Sequence, residues 1–437
     1  MPRIAIIGAG SIGFAQTLIK DVLSFEALRD SHISLMDIDP ERLDITYQVA
    51  QKLFAQENLP TTVSKTLDRA EALEGADYVM CAILANGLEP FENEINIPYK
   101  YGITQPVGDT MCVGGIFRAL RTIPKLLEIC RDIERLCPQA WMLNYTNPMT
   151  MLTWACSVAT KVKFVGLCHG VQGTGNWLGE LAGLKPEEIK YWAAGINHMA
   201  WFLRIEDLAG RNLWPAILEK IDRDGVPVGE KVRWDLARHI GYFMTESSGH
   251  LSEYLPYYRK RPDLVEAFDN PGGFAGQHAQ ILESYREHWL PHAERTLKQI
   301  RGEEPIPFGE RSHEYASNII NSLETGAMFR FNGNVLNHGL ISNLTPGACV
   351  EVPCMVDNTG VHPCVVGDLP PVCAALNQSN LSSMGMAVQA ALTGDRELAY
   401  HAVLTDPLTA AMLAPGEIRA MFDELFAANR QWMPEFA

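Results

Sequence analysis

The chain has 437 residues, 47% apolar and 20% charged, with 36 basic against 52 acidic groups and a formal net charge of −16. That length exceeds one typical domain, so two domains around separate cores are expected. No basic cluster offsets the acidic balance, which excludes nucleic acid and anionic membrane as natural partners and points to small molecules.

Residues 3–9 read as a strand entering a glycine turn, with no basic and apolar leader before them, and no apolar run reaches the roughly 18 residues of a membrane helix. Ten cysteines in such a chain read as reduced thiols, which predicts a cytoplasmic protein. Strands are predicted at Ile4–Gly8, Ile33–Ile38, Thr62–Thr66, Tyr78–Ile83, Trp141–Tyr145 and Lys163–Leu167. Segments of helical period alternate with them, among them Pro40–Ala55 and Gly115–Leu136. Continuous apolar strands alternating with helices predict a parallel sheet covered on both faces and joined by right-handed crossovers.

Beyond Gly195 the pattern changes. Ala200–Ile205 alternates like an exposed strand, and Leu213–Ile221, Ala279–Ile300 and Arg311–Leu323 read as helices. Val350–Val356 and Val361–Val366 read as short strands around an Asp-Asn-Thr-Gly turn. From Ser382 to Ala428 the pattern is helical, interrupted near Asp406-Pro407 and Pro415. Two domains follow: residues 1–195, and a mixed α+β second domain over residues 196–437.

Gly8, Gly10 and Gly13 form G-x-G-x-x-G, with Ser11 inside it, directly after a strand and before a helix. Glycine there permits a tight turn and lets the backbone approach a pyrophosphate at a helix N-terminus. The second strand ends at Asp37, where a carboxylate accepts from a ribose hydroxyl, and Asp37 with Asp39 would repel a 2′-phosphate, so NAD is favoured over NADP. A plain tight turn is the alternative. Asn86-Gly87, after the fourth strand, sits where a nicotinamide crevice is often lined, though an ordinary loop turn reads the same way.

Three further clusters fall at the carboxyl edge of the predicted sheet, where ligands bind. They are GDTMCVGGIFRALRTIP (108–124), NYTNPM (144–149) and GLCHGVQGTG (166–175), followed by His198 in GINH. A thiolate and an imidazole from separate loops can share a divalent metal and leave positions open for substrate oxygens. Cys168 with His198 is the favoured pair, because adjacent residues on extended backbone point oppositely and so separate Cys168 from His169. Buried structural cysteine and hydrogen-bonded histidine are the competing readings. Arg118 and Arg121 share one helical face and could orient Asp109 or substrate, or be ion-paired.

Together GAGSIGF, MDIDPERL, VGDTMCVGGIFRALRTIP, LNYTNPMTMLTW, GLCHGVQGT and AGINHMAWF resemble glycoside hydrolase family 4. The likeness extends through YFMTESSGHLSEYLPYY (242–258), EYASNIINSLETG (314–326) and VEVPCMVDNTGVHP (350–363), and within the family it looks most like the α-galactosidase branch. The resemblance implies a doubly wound Rossmann-type sheet and a largely helical C-terminal domain in a lactate/malate dehydrogenase-like arrangement. The first domain would bind NAD; the second would bind substrate and metal and form a homodimer or homotetramer. It also implies NAD⁺ and a divalent metal, usually Mn²⁺, and a chemistry outside the two-carboxylate glycosidase rule.

By similarity, Cys168 and His198 hold the metal, Asn147 contacts substrate and borders the cofactor, and Asp109 polarises a catalytic tyrosine. His169 takes the place of the leaving-group acid. The base candidate is Tyr254, with Glu246 and His250 as rivals and core packing as the alternative role for the tyrosine.

In the implied reaction NAD⁺ oxidises C3 of a small glycoside, a base removes the C2 proton, the aglycone leaves, water adds at C1 and C3 is reduced again. Branches of the family differ after the Cys-His pair, where α-galactosidases read CHSV and hexuronidases CHEV. Here the reading is CHGV, and Gly170 carries no side chain to sort substrates. The missing glutamate argues against a uronic acid and the missing phospho-type motif against a 6-phosphate, leaving α-galactosides first and α-glucosides or α-galacturonides as alternatives. A 2-hydroxy-acid dehydrogenase, with an arginine clamp, a His–Asp relay and no metal, is the competing enzyme class. A nucleotide-sensing protein without turnover is the competing non-enzyme.

Overall fold

Strands β1 (Arg3–Ile7), β2 (His32–Met36), β3 (Thr62–Thr66), β4 (Tyr78–Cys81), β5 (Trp141–Asn144) and β6 (Lys163–Leu167) lie parallel in the order 3-2-1-4-5-6 in the computed structural model, which describes residues 1–268, 279–287 and 289–436. Helices Gly13–Leu23, Pro40–Gln56, Cys112–Leu136 and Met149–Ala159 stand among them, close to the predicted elements. The central strands are Ile-, Val-, Leu- and Met-rich because both faces are covered, and β4 is buried throughout. The edge strand β3, TVSKT, is the polar exception, and it is exposed or half-buried. Asp39 caps the helix Pro40–Gln56 by accepting from the amides of Glu41 and Arg42, with proline at the first position.

The sheet does not end at residue 195. Strands β7 (Ile189–Ile196), β8 (Met199–Asp207), β9 (Phe243–Met244), β10 (Phe329–Leu336) and β11 (Cys349–Asp357) extend it through an antiparallel β6–β10 pair in the order 6-10-11-7-8-9. β12 (Gly360–Pro363) pairs with β11 around the expected Asp-Asn-Thr-Gly turn. The expected exposed strand at Ala200–Ile205 is instead largely buried in β8, because it sits between β7 and β9 and carries Trp201 and Phe202 inward.

The single helix expected over Ala279–Ile300 is described as Gln280–Glu287 and Trp289–Arg301, with His288 outside the described residues. The expected helix over Arg311–Leu323 begins only at Ala316 and runs to Thr325. The C-terminal part is helical at Pro371–Thr393, Arg396–Leu404, Pro407–Met412 and Pro415–Asn429, broken where the prolines predicted. No helix among the described residues is long and apolar enough to cross a membrane.

Candidate active site

At the carboxyl end of β1 the chain turns through Gly8 at φ 95°, in the left-handed region. A Cβ on Gly8 would lie 2.1 Å from the Ala82 carbonyl oxygen, and one on Gly10 would lie 2.7 Å from Cγ of Asp37. The turn is therefore closed at Gly8 against the backbone just after β4, where only glycine fits, and at Gly10 against the Asp37 carboxylate, which any side chain there would have to displace. Asp37 accepts from the amides of Gly10 at 2.7 Å and Asp39 at 3.0 Å, so its carboxylate also builds the turn. Ser11 is exposed in the one-turn helix Ala9–Ser11, and Gly13 opens the helix Gly13–Leu23. Asn86 Oδ1 at the end of β4 is buried without a hydrogen-bond partner. A tight glycine turn facing a helix N-terminus, with an orphaned amide oxygen in the loop after β4, fits a dinucleotide.

Cys168 follows β6, His198 sits between β7 and β8 at φ 61°, and both are buried. Glu246 precedes the short helix Ser248–Tyr254, which carries His250 and Tyr254 four residues apart. These elements converge. One donor atom each from Cys168, His198 and Glu246 lie within 4.8 Å of one another, as do those of Asp109, His198 and His250. His198 Nε2 is 3.9 Å from Glu246 Oε2, and its ring meets that of His250 edge-on at 4.1 Å between centroids. Thr110 Oγ1 stands 3.4 Å from His198 Nδ1.

Burial pushes the Cys168 thiol well above its ordinary range, and the Glu246 and Glu351 carboxylates act in the same sense. Burial also holds His198 down at about 3, with His250 adding to the effect, so its imidazole is neutral and ready to ligate. Burial would raise Asp109, but His250, Arg118 and His198 hold it well below the carboxylate range. His250 shows the converse: burial would lower it, while Asp109 and Glu246 hold it above its ordinary value. A thiol that stays protonated without a cation, a neutral imidazole and nearby carboxylates fit a divalent metal. Asn197 Nδ2 and Oδ1 are also buried there without hydrogen-bond partners.

The hydrogen-bond and ion-pair partners of Asp109 are His250 and Asn147, while its charge also acts on Tyr254. Its Oδ1 is 3.4 Å from His250 Nε2, and its Oδ2 accepts from Asn147 Nδ2 at 3.4 Å. Tyr254 is buried and donates its hydroxyl to the Asn197 carbonyl at 3.2 Å. Burial raises the Tyr254 phenol well above its ordinary value, and the Asp109 charge raises it further, since a carboxylate disfavours a neighbouring phenolate. His169 is exposed, and its Nδ1 pairs with Glu314 Oε1 at 3.2 Å. Arg121 is not free to clamp a substrate: it forms a buried two-pronged pair with Glu94 at 2.6 and 2.9 Å and donates to the Ala85 carbonyl. Arg118 lies buried over the Phe91 ring, with Nη1 unpartnered, on the Asp109 side.

Sequence reasoning did not single out Glu253, Glu314 or Thr110. Glu253 is buried, pushed up to about 7 by that burial, and accepts from the amides of Val107 at 2.8 Å and Gly108 at 3.0 Å. It thereby holds the loop that presents Asp109. The only signal for it was its helical spacing from His250, three residues earlier on the same face.

Residues 3–184 match the model of family 4 glycosyl hydrolases and residues 193–409 that of the family 4 C-terminal domain. An alpha-galactosidase of Bacillus subtilis (strain 168) is 40% identical over 440 residues, covering 100% of both chains. One of Rhizobium meliloti (strain 1021) is 40% identical over 457 residues, covering 100% of this chain and 90% of the relative. An alpha-galacturonidase of Thermoanaerobacterium saccharolyticum is 30% identical, covering 98% and 96%. Among solved structures, a 6-phospho-alpha-glucosidase from gut microorganisms, crystallised with NAD and Mn²⁺, superposes with a TM-score of 0.84 at 22% identity and covers 100% of both chains. With both halves matched in sequence and fold, the chain belongs to family 4 of the glycosyl hydrolases.

Proposed function

We propose that the protein hydrolyses α-galactosides by reversible oxidation at C3 and elimination across C1 and C2. The observation that carries the reading is the convergence of Cys168 and His198 on one buried pocket at the sheet edge that also carries the glycine turn. The 40% identity to two alpha-galactosidases over the whole chain supports the sugar. NAD⁺ at the turn supplies a reversible hydride acceptor for C3, and a divalent cation such as Mn²⁺ held by Cys168 and His198 supplies a Lewis acid for the adjacent sugar oxygens.

The chain's own residues do the rest. Gly8, Gly10, Ser11 and Gly13 receive the pyrophosphate, Asp37 the ribose, and Asn86 and Asn147 border the nicotinamide. Asn147 also binds a sugar hydroxyl. Tyr254, as its phenolate, takes the C2 proton, which the C3 ketone makes acidic, and becomes the neutral phenol, while His169 delivers a proton to the departing oxygen. Water adds back at C1, and a cofactor held at the turn would supply the hydride that returns C3 to the alcohol. Asp109, paired with His250, fixes the Asn147 amide.

Residues 1–195 serve as the cofactor domain and 196–437 as the substrate, metal and oligomerisation domain of a homodimer or homotetramer. The ten free cysteines support a cytoplasmic location. The test compares p-nitrophenyl α-galactoside, α-glucoside and α-galacturonide with the purified enzyme, NAD⁺, Mn²⁺ and a thiol. Preferential release from the α-galactoside is expected. Faster hydrolysis of either of the other two would replace the sugar assignment.

A further inference from the structure

Gly170 touches both sides of the cation pocket. Its amide donates to Cys168 Sγ at 3.4 Å. A Cβ built on it would lie 2.4 Å from Glu246 Oε2 and 3.0 Å from the Thr245 carbonyl oxygen. No real side chain tolerates such a distance, so the position of the Glu246 carboxylate depends on the missing side chain at 170. The backbone does not explain the glycine: Gly170 opens the helix Gly170–Leu181 and is absent from the positive-φ residues. Alanine would suit that conformation better.

Glu246 is itself aimed. Its Oε1 accepts from the Ser247 amide at 3.0 Å, which leaves Oε2 facing His198 Nε2 at 3.9 Å. The other donor set around His198 is already engaged: His250 Nδ1 is 3.0 Å from Ser247 Oγ, and its Nε2 faces Asp109 at 3.4 Å. Cys168, His198 and Glu246 are therefore the three donors left to close on one point.

We infer that Glu246 is a third protein ligand of the divalent cation, admitted to the pocket by Gly170. The inference rests on the reading of Cys168 and His198 as ligands. Catalytic metal sites are commonly built from three protein donors with a position left open for substrate or water. Thiolate plus imidazole alone suits a softer ion such as Zn²⁺, whereas a carboxylate adds the hard oxygen that Mn²⁺ favours. Gly170 then has a role in metal choice, independent of any contact with sugar.

The experiment titrates Mn²⁺ into the chelator-treated full-length protein with NAD⁺ present, reading free Mn²⁺ by electron paramagnetic resonance, and repeats it with Zn²⁺. E246Q and G170A are each expected to weaken Mn²⁺ at least tenfold and Zn²⁺ by less. G170A should leave the melting temperature of the cation-free protein unchanged or raised, which separates displacement of the carboxylate from damage to the fold. C168S should abolish Mn²⁺ binding. If C168S loses the cation while E246Q or G170A binds Mn²⁺ within twofold of the parent, the Glu246 assignment is overturned and the Cys168–His198 reading stands. If C168S binds as the parent does, both fall. Should E246Q fail to fold, G170A decides alone.

Discussion

His169 Nδ1 stands 3.2 Å from Glu314 Oε1, joining the loop after β6 to the segment before the helix Ala316–Thr325. The Glu314 carboxylate raises the His169 pKa above its ordinary value, and Glu246 contributes in the same direction. A raised histidine pKa means that the protonated form survives to higher pH. An acid that must give its proton to the leaving group is thus kept loaded to higher pH than an ordinary histidine.

The pH dependence follows with its sign. Glu314→Gln removes the partner, lowers the His169 pKa and moves the alkaline limb of the kcat/KM profile to lower pH. Activity on the acidic side should change little, while activity on the alkaline limb should fall. A profile whose alkaline limb stays in place would remove His169 from the acid role.

Asp37 braces the turn as well as facing the ribose, because the Gly10 and Asp39 amides both donate to it. Asp37→Ala should weaken NADH binding by at least tenfold, in line with the roughly 1.5–3 kcal/mol of a hydrogen bond to a charged group. Fluorescence titration with NADH reads this directly. Gly10→Ala, which forces a Cβ against the same carboxylate, should weaken binding by more.

Tyr254 separates two accounts of the base. Tyr254→Phe should lower kcat by about 10²–10⁴-fold, the usual range for a positioned acid or base, and leave NADH and Mn²⁺ affinities within twofold. Full activity in that variant, with loss in His250→Gln, would transfer the role to the His250–Asp109 pair.

The buried Glu94–Arg121 pair concerns stability. Both side chains are fully buried, and Glu94 also accepts from Asn429 Nδ2 at 3.2 Å, tying the helix Leu88–Lys100 to the last helix of the chain. Glu94→Ala strands the guanidinium and should cost about 3–5 kcal/mol, read by urea denaturation, whereas removal of an exposed pair such as Arg261–Asp263 should cost under about 1 kcal/mol.

Local patterns made the N-terminal half legible. Apolar strands, a glycine turn in its strand-to-helix setting and Asp39 before Pro40 are contiguous signals, and the elements they predict form with ends within a few residues. The continuation of the sheet was not legible. The β6–β10 pairing joins residues more than 160 positions apart, and no local period encodes such a partner. Ala200–Ile205 misled for the same reason, since its burial comes from neighbours on both sides and not from its own alternation.

In the site, the residues that chemistry names by type, Cys168, His198 and Asp109, were found. The contacts among them were not. The pairing of Asp109 with His250 and Asn147, and the contacts of Glu253 and Glu314, carry no local signal, because a carboxylate in a sequence shows nothing of what it meets.

The central claim is that hydrolysis proceeds through oxidation at C3 and removal of the C2 proton. The most direct measurement is hydrolysis of an α-galactoside in D₂O with NAD⁺ and Mn²⁺, followed by proton NMR of the released sugar. Deuterium at C2, with activity lost when NAD⁺ is omitted, is the predicted result. Release of galactose with an unlabelled C2 in the absence of NAD⁺ would contradict it.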